Sequence, residues 1–284
     1  MGVGMIRNLL KGGFEVIINT RTRSKAEDLL KEGARWADSP CEVAKETDVV
    51  LSIVGYPRDV ESVYLGTKGI LEGASAGTTV IDMTTSSPDL ARRIYDTAQG
   101  KGVHSLDAPV SGGDLGARNG TLSIMVGGDE AVFEEMLPVF EAMGGNVVYQ
   151  GKAGSGQYAK LANQIAIASG IVGACEAMHF AKCSGLDPFK VLKSIQEGAA
   201  GSWALSHLMP RALKGDFAAG FYVKYFVKDM GIALEVAEGA GLSLPGLERA
   251  KLLYKCIEQA GGGNLGTQSL FDLYERGAVK GISG

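Results

Sequence analysis

The stretches Asp48-Val-Val-Leu-Ser-Ile-Val54 and Thr78-Thr-Val-Ile-Asp82 decide the fold of this chain. Each is a short, apolar run rich in β-branched residues, and a longer segment with helical periodicity separates them. Comparable runs occur on both sides, at Phe14-Glu-Val-Ile-Ile-Asn19, Leu122-Ser-Ile-Met-Val126 and Asn146-Val-Val-Tyr149. Strands that alternate with helices are typical of a sheet with helices on both faces. We therefore predict a doubly wound α/β fold for this part of the chain.

The pattern changes after Gly156. Small and apolar residues continue almost unbroken from Gln157 to about Lys182, which predicts one long helix that ends before Gly185. Further helical segments follow to the end of the chain. The sequence thus predicts two domains, an α/β domain over residues 1–152 and an all-α domain over residues 153–284, joined by the long helix. Polar residues, among them Lys160, interrupt the apolar run, so we do not interpret it as a membrane span.

Composition narrows the possible functions. The 284 residues carry a net charge of -4, which offers no basic surface for nucleic acid. The four cysteines form no CxxC pair and the three histidines have no ligand spacing, so no metal site is implied. We expect the cysteines to be buried thiols in a reducing compartment, by default the cytoplasm. A targeting peptide upstream of Met1 would lie outside this sequence.

One local motif points to chemistry on a small anion. Ser111, Gly112 and Gly113 follow a strand at the expected start of a helix, where unpaired N–H groups and the helix dipole favour an anion. Lys160 is a lone lysine on the apolar helix and could exchange a proton near a bound carboxylate. Taken alone, these residues favour the simpler interpretation of a tight turn and a lysine that reaches the surface.

Several separated motifs in a fixed order resemble the β-hydroxyacid dehydrogenases, the family of 3-hydroxyisobutyrate dehydrogenase and tartronate semialdehyde reductase. These motifs are Met1-Gly-Val-Gly-Met-Ile-Arg-Asn-Leu9, Asp82-Met-Thr-Thr-Ser-Ser-Pro88, Asp107-Ala-Pro-Val-Ser-Gly-Gly113, Gly154-Ser-Gly-Gln-Tyr-Ala-Lys-Leu-Ala-Asn163 and Lys228-Asp229. The resemblance implies an N-terminal Rossmann domain that binds a dinucleotide. It also implies a helical domain for substrate binding and oligomerisation.

The beginning of the chain departs from this family. There, a first strand and two glycines precede the position of Met1, and Gly2 is the third glycine, which allows a helix to pack closely on a strand. The predicted Rossmann domain therefore lacks its first strand. We expect the two strands on either side of that position to be unpaired, and we interpret the beginning of the chain as a truncation or a misassigned start rather than as a natural domain.

The cofactor prediction depends on the turn after the second family strand. Arg21 and Thr22 stand where NAD-specific folds usually place an acidic residue, and no carboxylate occurs before Glu27. An arginine there accommodates a 2′-phosphate, so NADP is favoured and NAD remains possible. The alternative is a solvated basic turn. By resemblance, further residues contact the cofactor: Met1, Gly2, Val54, Gly55, Thr85, Phe221 and Lys228.

The resemblance also assigns the substrate site. It implies that Ser111, Gly112 and Gly113 bind the substrate carboxylate, that Lys160 is the general acid-base residue, and that Asn163 helps to hold the substrate. Gln164 replaces the second asparagine of many members, so the role of this position is open. Trp203 is interpreted either as a pocket wall or as a core residue.

The predicted activity is hydride transfer between NAD(P) and a short hydroxy acid or its semialdehyde. Candidate substrates are 3-hydroxyisobutyrate, 3-hydroxypropionate, serine, glycerate with tartronate semialdehyde, and γ-hydroxybutyrate with succinic semialdehyde. One alternative is an imine reductase, which typically lacks the lysine. Another is a non-catalytic domain that binds the cofactor. The family and the apolar helix further imply a homodimer or homotetramer, without a nucleic-acid or membrane partner.

Overall fold

The computed structural model describes residues 1–281. Its contacts divide the chain into two compact units, Met1–Lys160 and Leu161–Gly284. This boundary lies inside the long helix, whereas the helical part was expected to begin at residue 153. The N–H groups of Gly154, just before that helix, and of Gln157, in its first turn, donate to the carboxyl of Asp107, which ties the start of the helix to the first unit.

The first unit contains all the strands. They are β1 (Ile17–Ile18), β2 (Arg35–Trp36), β3 (Val49–Ser52), β4 (Thr79–Asp82), β5 (His104–Asp107), β6 (Val110–Ser111), β7 (Leu122–Gly127) and β8 (Gly144–Gly151). Its helices are α1 (Gly2–Lys11), α2 (Glu27–Lys31), α3 (Pro40–Lys45), α4 (Pro57–Leu65), α5 (Ile70–Gly73), α6 (Pro88–Gln99), α7 (Gly113–Asn119) and α8 (Glu130–Glu141). The predicted alternation of strands and helices is confirmed.

The strands form two separate sheets in the described residues. β1 and β2 make a two-stranded parallel sheet. A six-stranded sheet has the order β3-β4-β5-β7-β6, with β8 also paired to β7. The division falls between β1 and β3, where the sequence predicted a missing strand, and leaves both of these strands with one unpaired edge.

The centre of the larger sheet is buried on both faces. All four residues of β4 are buried, and Val80 and Ile81 are fully inaccessible, as expected for a parallel strand with helices on both sides. β3, β4 and β5 run parallel, and their pairing places Ser52 opposite Asp82 and Asp82 opposite Asp107. Three polar side chains therefore come together at the carboxyl ends of neighbouring strands.

The second unit is helical, as predicted. It contains most of α9 (Ser155–Cys183), followed by α10 (Pro188–Ile195), α11 (Met209–Ala212), α12 (Val223–Gly239), α13 (Pro245–Gln259) and α14 (Leu270–Glu275). Its core includes Phe226 and Tyr254, whose rings meet edge to face. Cys41 and Cys175 are buried and Cys256 is partly buried, but Cys183, the last residue of α9, is exposed, so the expectation of buried thiols was wrong for Cys183.

α9 has the length and apolar composition that could cross a membrane. Core helices of soluble proteins meet the same two criteria. In this chain, Lys160 and Gln164 are buried on α9, and Gln164 makes polar contacts with neighbouring side chains.

Candidate active site

Polar side chains line the carboxyl ends of β3 and β4. Ser52 Oγ lies 3.0 Å from Asp82 Oδ1 and 3.0 Å from the hydroxyl of Tyr64. The serine has one proton, which the carboxylate accepts, so the tyrosine hydroxyl donates to the serine. Burial and the charge of Asp82 raise the pKa of Tyr64 well above its usual value, which keeps this hydroxyl protonated.

Asp107, the last residue of β5, connects the sheet to α9. Its Oδ1 accepts a hydrogen bond of 2.7 Å from the backbone N–H of Gly154, and its Oδ2 accepts one of 2.9 Å from that of Gln157. Burial raises the pKa of the Asp107 carboxyl to about 6, although these two N–H groups favour the ionised form. The beginning of α9 is thus held by a carboxyl from the sheet.

Gln157 adds a second connection that the sequence analysis did not single out. Its side chain is completely buried. Oε1 accepts a hydrogen bond of 2.8 Å from the backbone N–H of Ser86, and Nε2 donates one of 2.8 Å to the carbonyl of Thr84. Its only sequence signal was its place between the glycines and Lys160 in a family motif. The amide binds the loop after β4 to the first turn of α9.

The predicted cofactor residues after β3 and β4 are linked as well. The backbone N–H of Val54 donates a hydrogen bond of 2.9 Å to Thr84 Oγ1. Gly55 follows Val54, and Thr85 follows Thr84; both are partly exposed. The structure therefore brings the predicted segments Val54–Gly55 and Thr85 together at one edge of the sheet, which is where doubly wound folds bind ligands.

The predicted anion turn joins β6 to α7. Ser111 ends β6, and Gly113 begins α7. Gly112 has a φ of 125° and Gly113 a φ of 63°. Residues other than glycine rarely adopt this region of backbone φ. A Cβ atom at Gly112 would also lie 3.3 Å from a methyl group of Leu122. Two consecutive glycines are thus required by the backbone conformation of this turn.

Lys160 lies in the second turn of α9 and is 6% exposed. A buried lysine is unusual, because the charged form loses its hydration there. The alternative of a lysine that extends into solvent is therefore wrong. One helical turn separates Lys160 from Gln157. The hydrogen bonds that hold Gln157 therefore also hold the backbone of Lys160 in place.

The basic turn after β1 is exposed. The Arg21 side chain is 84% exposed, and its Nη1 lies 3.9 Å from Asp59 Oδ1. The guanidinium of Arg23 lies over the ring of Trp36, 5.1 Å from its centre. Thr22 precedes a short 3₁₀ helix, Arg23–Ala26. The Arg21 side chain is thus largely in solvent, with the Asp59 carboxylate at ion-pair distance.

The start of the chain forms α1, with Met1 as its N-cap residue. A Cβ atom at Gly2 would meet Ile53 at 3.4 Å, which is ordinary contact. At Gly4 it would lie 2.8 Å from the backbone of Ala117 in α7. The close packing expected at Gly2 is therefore found at Gly4, where a side chain has the least space. At Gly4 the close contact is between α1 and α7 rather than between a helix and a strand.

In the second unit, a chain of polar contacts joins α9 to α12. Asn163 Nδ2 donates to Gln164 Oε1 at 2.8 Å, and Gln164 Nε2 donates to Asp229 Oδ2 at 2.6 Å. Lys228 Nζ lies 2.7 Å from Asp229 Oδ1, and both side chains are largely buried. Gln164 thus connects the predicted residues Asn163 and Lys228, a role that spacing along the chain could not show.

Two predicted aromatic residues have different surroundings in the second unit. Trp203 is 60% exposed and stacks on His207, with ring centres 4.9 Å apart, so its interpretation as a core residue was wrong. It directly precedes a π-helical segment, Ala204–Leu208. Phe221 is half-buried, and its ring contacts Phe226 edge to face at 5.9 Å.

Comparisons with known proteins agree with this arrangement. Residues 1–151 match the family model described as the NAD binding domain of 6-phosphogluconate dehydrogenase. Residues 154–274 match the model described as the NAD-binding region of NADP-dependent 3-hydroxyisobutyrate dehydrogenase. A 3-hydroxyisobutyrate dehydrogenase-like protein of Arabidopsis thaliana is 50% identical over 277 residues, which cover 97% of this chain and 83% of the relative. The chain belongs to the β-hydroxyacid dehydrogenase family.

Other members of the family match nearly the whole length of this chain. The 2-hydroxy-3-oxopropionate reductase of Escherichia coli is 37% identical, with 97% of this chain and 91% of the relative covered. The structure of Mycobacterium tuberculosis 3-hydroxyisobutyrate dehydrogenase with L-serine has a TM-score of 0.88 and 30% identity, with 96% and 95% of the two chains covered. The chain is therefore an oxidoreductase with an NAD(P)-binding Rossmann domain.

The described residues of this chain fit a nicotinamide dinucleotide. The loops after β3 and β4 meet at the carboxyl edge of the sheet, and Ser86 Oγ is buried there without a hydrogen-bond partner among residues 1–281. The turn after β1 offers guanidinium groups and no carboxylate, a donor set that suits phosphate. These features lie in the unit that matches the dinucleotide-binding model.

Proposed function

We propose that this protein catalyses NAD(P)-dependent oxidation of a short hydroxy acid, or reduction of its semialdehyde, with Lys160 as the general acid-base residue. One observation carries the proposal. Lys160 is buried on α9, one turn after Gln157, whose side chain is bound to the loop at the carboxyl end of β4. A proton-transfer group thus stands near the edge where such sheets bind their ligands.

In this proposal, each residue of the site has a separate role in substrate binding or proton transfer. Ser111, Gly112 and Gly113 bind the substrate carboxylate through backbone N–H groups. During oxidation, Lys160 takes the proton from the substrate hydroxyl; during reduction, it returns a proton to the developing alkoxide. Asn163, three residues further on α9, holds the substrate hydroxyl, and Trp203 contacts its far end. The bound nicotinamide supplies or accepts the hydride.

The residues that would hold the cofactor lie at the start of α1, in the loops after β1, β3 and β4, and just before or on α12: Met1, Gly2, Arg21, Thr22, Val54, Gly55, Thr85, Phe221 and Lys228. NADP is the favoured form, because Arg21 is exposed beside a turn without carboxylates. The match of residues 154–274 to an NADP-dependent enzyme supports this preference. NAD stays possible, since nothing in the turn blocks an unphosphorylated ribose.

The substrate class follows from the chemistry of the relatives. One relative is a reductase of 2-hydroxy-3-oxopropionate, and one related structure was determined with L-serine. Both compounds combine a carboxylate with a hydroxyl or aldehyde a few bonds away. We expect the substrate of this chain to share that pattern. A cytoplasmic location is part of the proposal and can be tested by cell fractionation.

The decisive experiment follows absorbance at 340 nm. The five hydroxy acids named above are offered with NADP+ and with NAD+, and the semialdehydes and, as an alternative, a cyclic imine are offered with NADPH and with NADH. We expect turnover of at least one acid and a higher kcat/KM with NADPH. Saturable cofactor binding without turnover would instead indicate a binding domain, and turnover of the imine alone would indicate an imine reductase.

Replacing the lysine tests its role directly. We expect Lys160→Ala to lower kcat roughly a hundredfold or more, because a general acid-base residue contributes on that scale. The matched control is Lys101→Ala, since Lys101 Nζ donates to the Leu71 carbonyl within the same unit. This control should keep the wild-type kcat. Equal activity of the two variants would remove Lys160 from the mechanism.

The second unit also bears on assembly, which we propose to be a homodimer or homotetramer. Exposed residues recur along one side of α9 at helical spacing, and most are small or apolar: Ala162, Ala166, Ser169, Gly170, Gly173, Glu176 and Phe180. Phe180 is 70% exposed. A second copy of this chain that covers this side would bury the aromatic ring and the small residues.

A further inference from the structure

The side chain of Gln157 can adopt only one amide orientation. It is fully buried and faces one backbone donor, the N–H of Ser86, and one backbone acceptor, the carbonyl of Thr84. The N–H group cannot accept and the carbonyl cannot donate, so rotating the amide by 180° would break both hydrogen bonds. A buried amide with a fixed orientation holds its two partners at a fixed distance from each other.

Those two partners flank Thr85. Thr84 and Ser86 are its direct neighbours, so both sides of the predicted cofactor residue are fastened to the same side chain. Thr84 Oγ1 also accepts the hydrogen bond from the Val54 N–H group, which ties the loop after β3 into the same arrangement. One glutamine therefore determines where two cofactor segments lie.

The backbone of Gln157 is fixed to a third strand. Its N–H donates to Asp107 Oδ2 at the end of β5, while Gly154 donates to Oδ1 of the same carboxyl. Lys160 follows after three residues of continuous helix, so it has little freedom relative to Gln157. The positions of the loop after β4 and of Lys160 therefore both depend on Gln157.

We infer that Gln157 is a positioning residue, which holds the Thr84–Ser86 loop and the Lys160 turn of α9 in one fixed relation. The inference rests on the proposed function, because it concerns how the cofactor segment and the proton-transfer residue are aligned. Hydride transfer and proton transfer at one substrate carbon require both partners in place. A misplacement of about 1 Å can lower the rate roughly a hundredfold.

Two variants separate positioning from general stability. Gln157→Met removes both hydrogen bonds at a similar length. Gln157→Glu keeps an acceptor for the Ser86 N–H but turns a carboxylate oxygen toward the Thr84 carbonyl. The matched control is Tyr254→Phe, which removes a buried hydrogen bond of 2.7 Å to the Thr267 carbonyl in the second unit.

The kinetic readout is kcat, KM and the primary isotope effect with NADPH deuterated at the transferred position. For Gln157→Met we expect kcat per folded enzyme to fall roughly ten- to a hundredfold. The isotope effect should rise, because hydride transfer becomes more rate-limiting. The substrate KM should change little, since Ser111, Gly112 and Gly113 are not touched. Tyr254→Phe should change none of these quantities.

For Gln157→Glu we expect a distinctive pH dependence. A protonated glutamic acid can donate to the Thr84 carbonyl and still accept from Ser86, so both bonds return at low pH. The ratio of variant to wild-type kcat should therefore rise as the pH falls from 8 to 5.5. The charged and titratable groups nearest to this side chain are Asp107, whose Oδ2 accepts from the Gln157 N–H, and the hydrogen-bonded pair of Asp82 and Tyr64 with Ser52. Dividing by the wild-type kcat at each pH removes the pH effects that the two enzymes share.

Amide hydrogen exchange tests the same inference without turnover. In Gln157→Met, residues 84–87 and 154–160 should exchange faster than in wild type, and in Tyr254→Phe they should not. If wild type turns over no acid of the panel, the proposed function fails while this readout still decides the inference. Unchanged exchange in both segments overturns the inference that Gln157 is a positioning residue. An unchanged kcat and isotope effect in a folded Gln157→Met enzyme overturns it as well. If Gln157→Met does not fold, the pH dependence of Gln157→Glu decides, and a flat ratio overturns it.

Discussion

At the scale of single residues, Asp107 shows how competing effects set the state of a buried carboxyl. Desolvation opposes its charge, the nearby carboxylate of Asp82 opposes it further, and the N–H groups of Gly154 and Gln157 favour it. Burial is the largest of these effects and raises the pKa from 3.8 to about 6. The group that anchors α9 therefore titrates close to neutral pH.

This shift predicts the pH dependence of stability. The unfolded carboxyl has a pKa of 3.8 and the folded one a pKa of about 6, so between these values the folded state binds the additional proton. The contribution of Asp107 to the free energy of unfolding is therefore present at low pH and is lost as the pH rises through 6. The full difference is roughly 3 kcal/mol, because one pKa unit corresponds to about 1.4 kcal/mol.

The measurement compares urea unfolding of wild type and Asp107→Asn at pH 5 and pH 7.5. The asparagine cannot titrate, so the difference between the two proteins isolates Asp107. We expect wild type to lose roughly 1 kcal/mol or more relative to the variant between these pH values. A difference that does not change with pH would mean that the carboxyl titrates as in the unfolded chain.

At the scale of secondary-structure elements, glycines set the distance between α9 and the sheet. A Cβ atom on Gly156 would lie against the carbonyl of Met125 and within 2.5 Å of that of Asp107. One on Gly127, at the end of β7, would lie 2.7 Å from the backbone N of Gly156. Both sides of this contact are backbone, so neither can move aside. The hydrogen bonds to Asp107 depend on this close approach.

We therefore expect Gly156→Ala to push the first turn of α9 away from the sheet and to lower the free energy of unfolding by roughly 1–3 kcal/mol, as other overpacked sites do. The control is Gly239→Ala, because a Cβ atom at this helical glycine meets nothing within 4 Å. That change should be neutral or stabilising by up to about 1 kcal/mol. Equal stability of the two variants in urea would show that the helix is not held this closely.

At the scale of the whole molecule, the exposed side of α9 predicts self-association. Light scattering of the purified protein should give a dimer or tetramer. Gly173→Lys places a charge on this side without a clash, since a Cβ atom there meets nothing within 4 Å, and it should shift the mass toward the monomer. Gly239→Lys puts the same charge on α12 and should leave the mass unchanged. A monomeric wild type would contradict the proposed assembly.

The fold was predictable to a large extent because it depends on periodicity. The β-branched runs around Val50, Val80 and Ile124 all became buried strands, and the loss of alternation after Gly156 marked α9. The strand before the Ser111 turn was expected only without bounds, and β2 and the four-residue β5 were not predicted individually. Strands such as Arg35–Trp36 have only two residues, which is too few for a period to be recognised.

The candidate site was predictable only in part. Motif order identified Lys160 and the turn at Ser111, because these residues carry chemistry of their own. Gln157 and Gln164 were not assigned roles, since an amide side chain has no preferred chemistry until its partners are known. Gln157 contacts Thr84 and Ser86, more than 70 positions away, and Gln164 contacts Asp229 at a separation of 65.

The sequence by itself determined the two kinds of architecture and the family, and it singled out the candidate site residues, because hydrophobic period and motif spacing are local properties that can be read along the chain. The tertiary structure alone decided how those residues are held. The burial of Lys160, the raised pKa of Asp107 and the fixed amide of Gln157 each depend on groups that are distant in sequence and adjacent in space. Desolvation and hydrogen bonding act only between groups that folding has brought together.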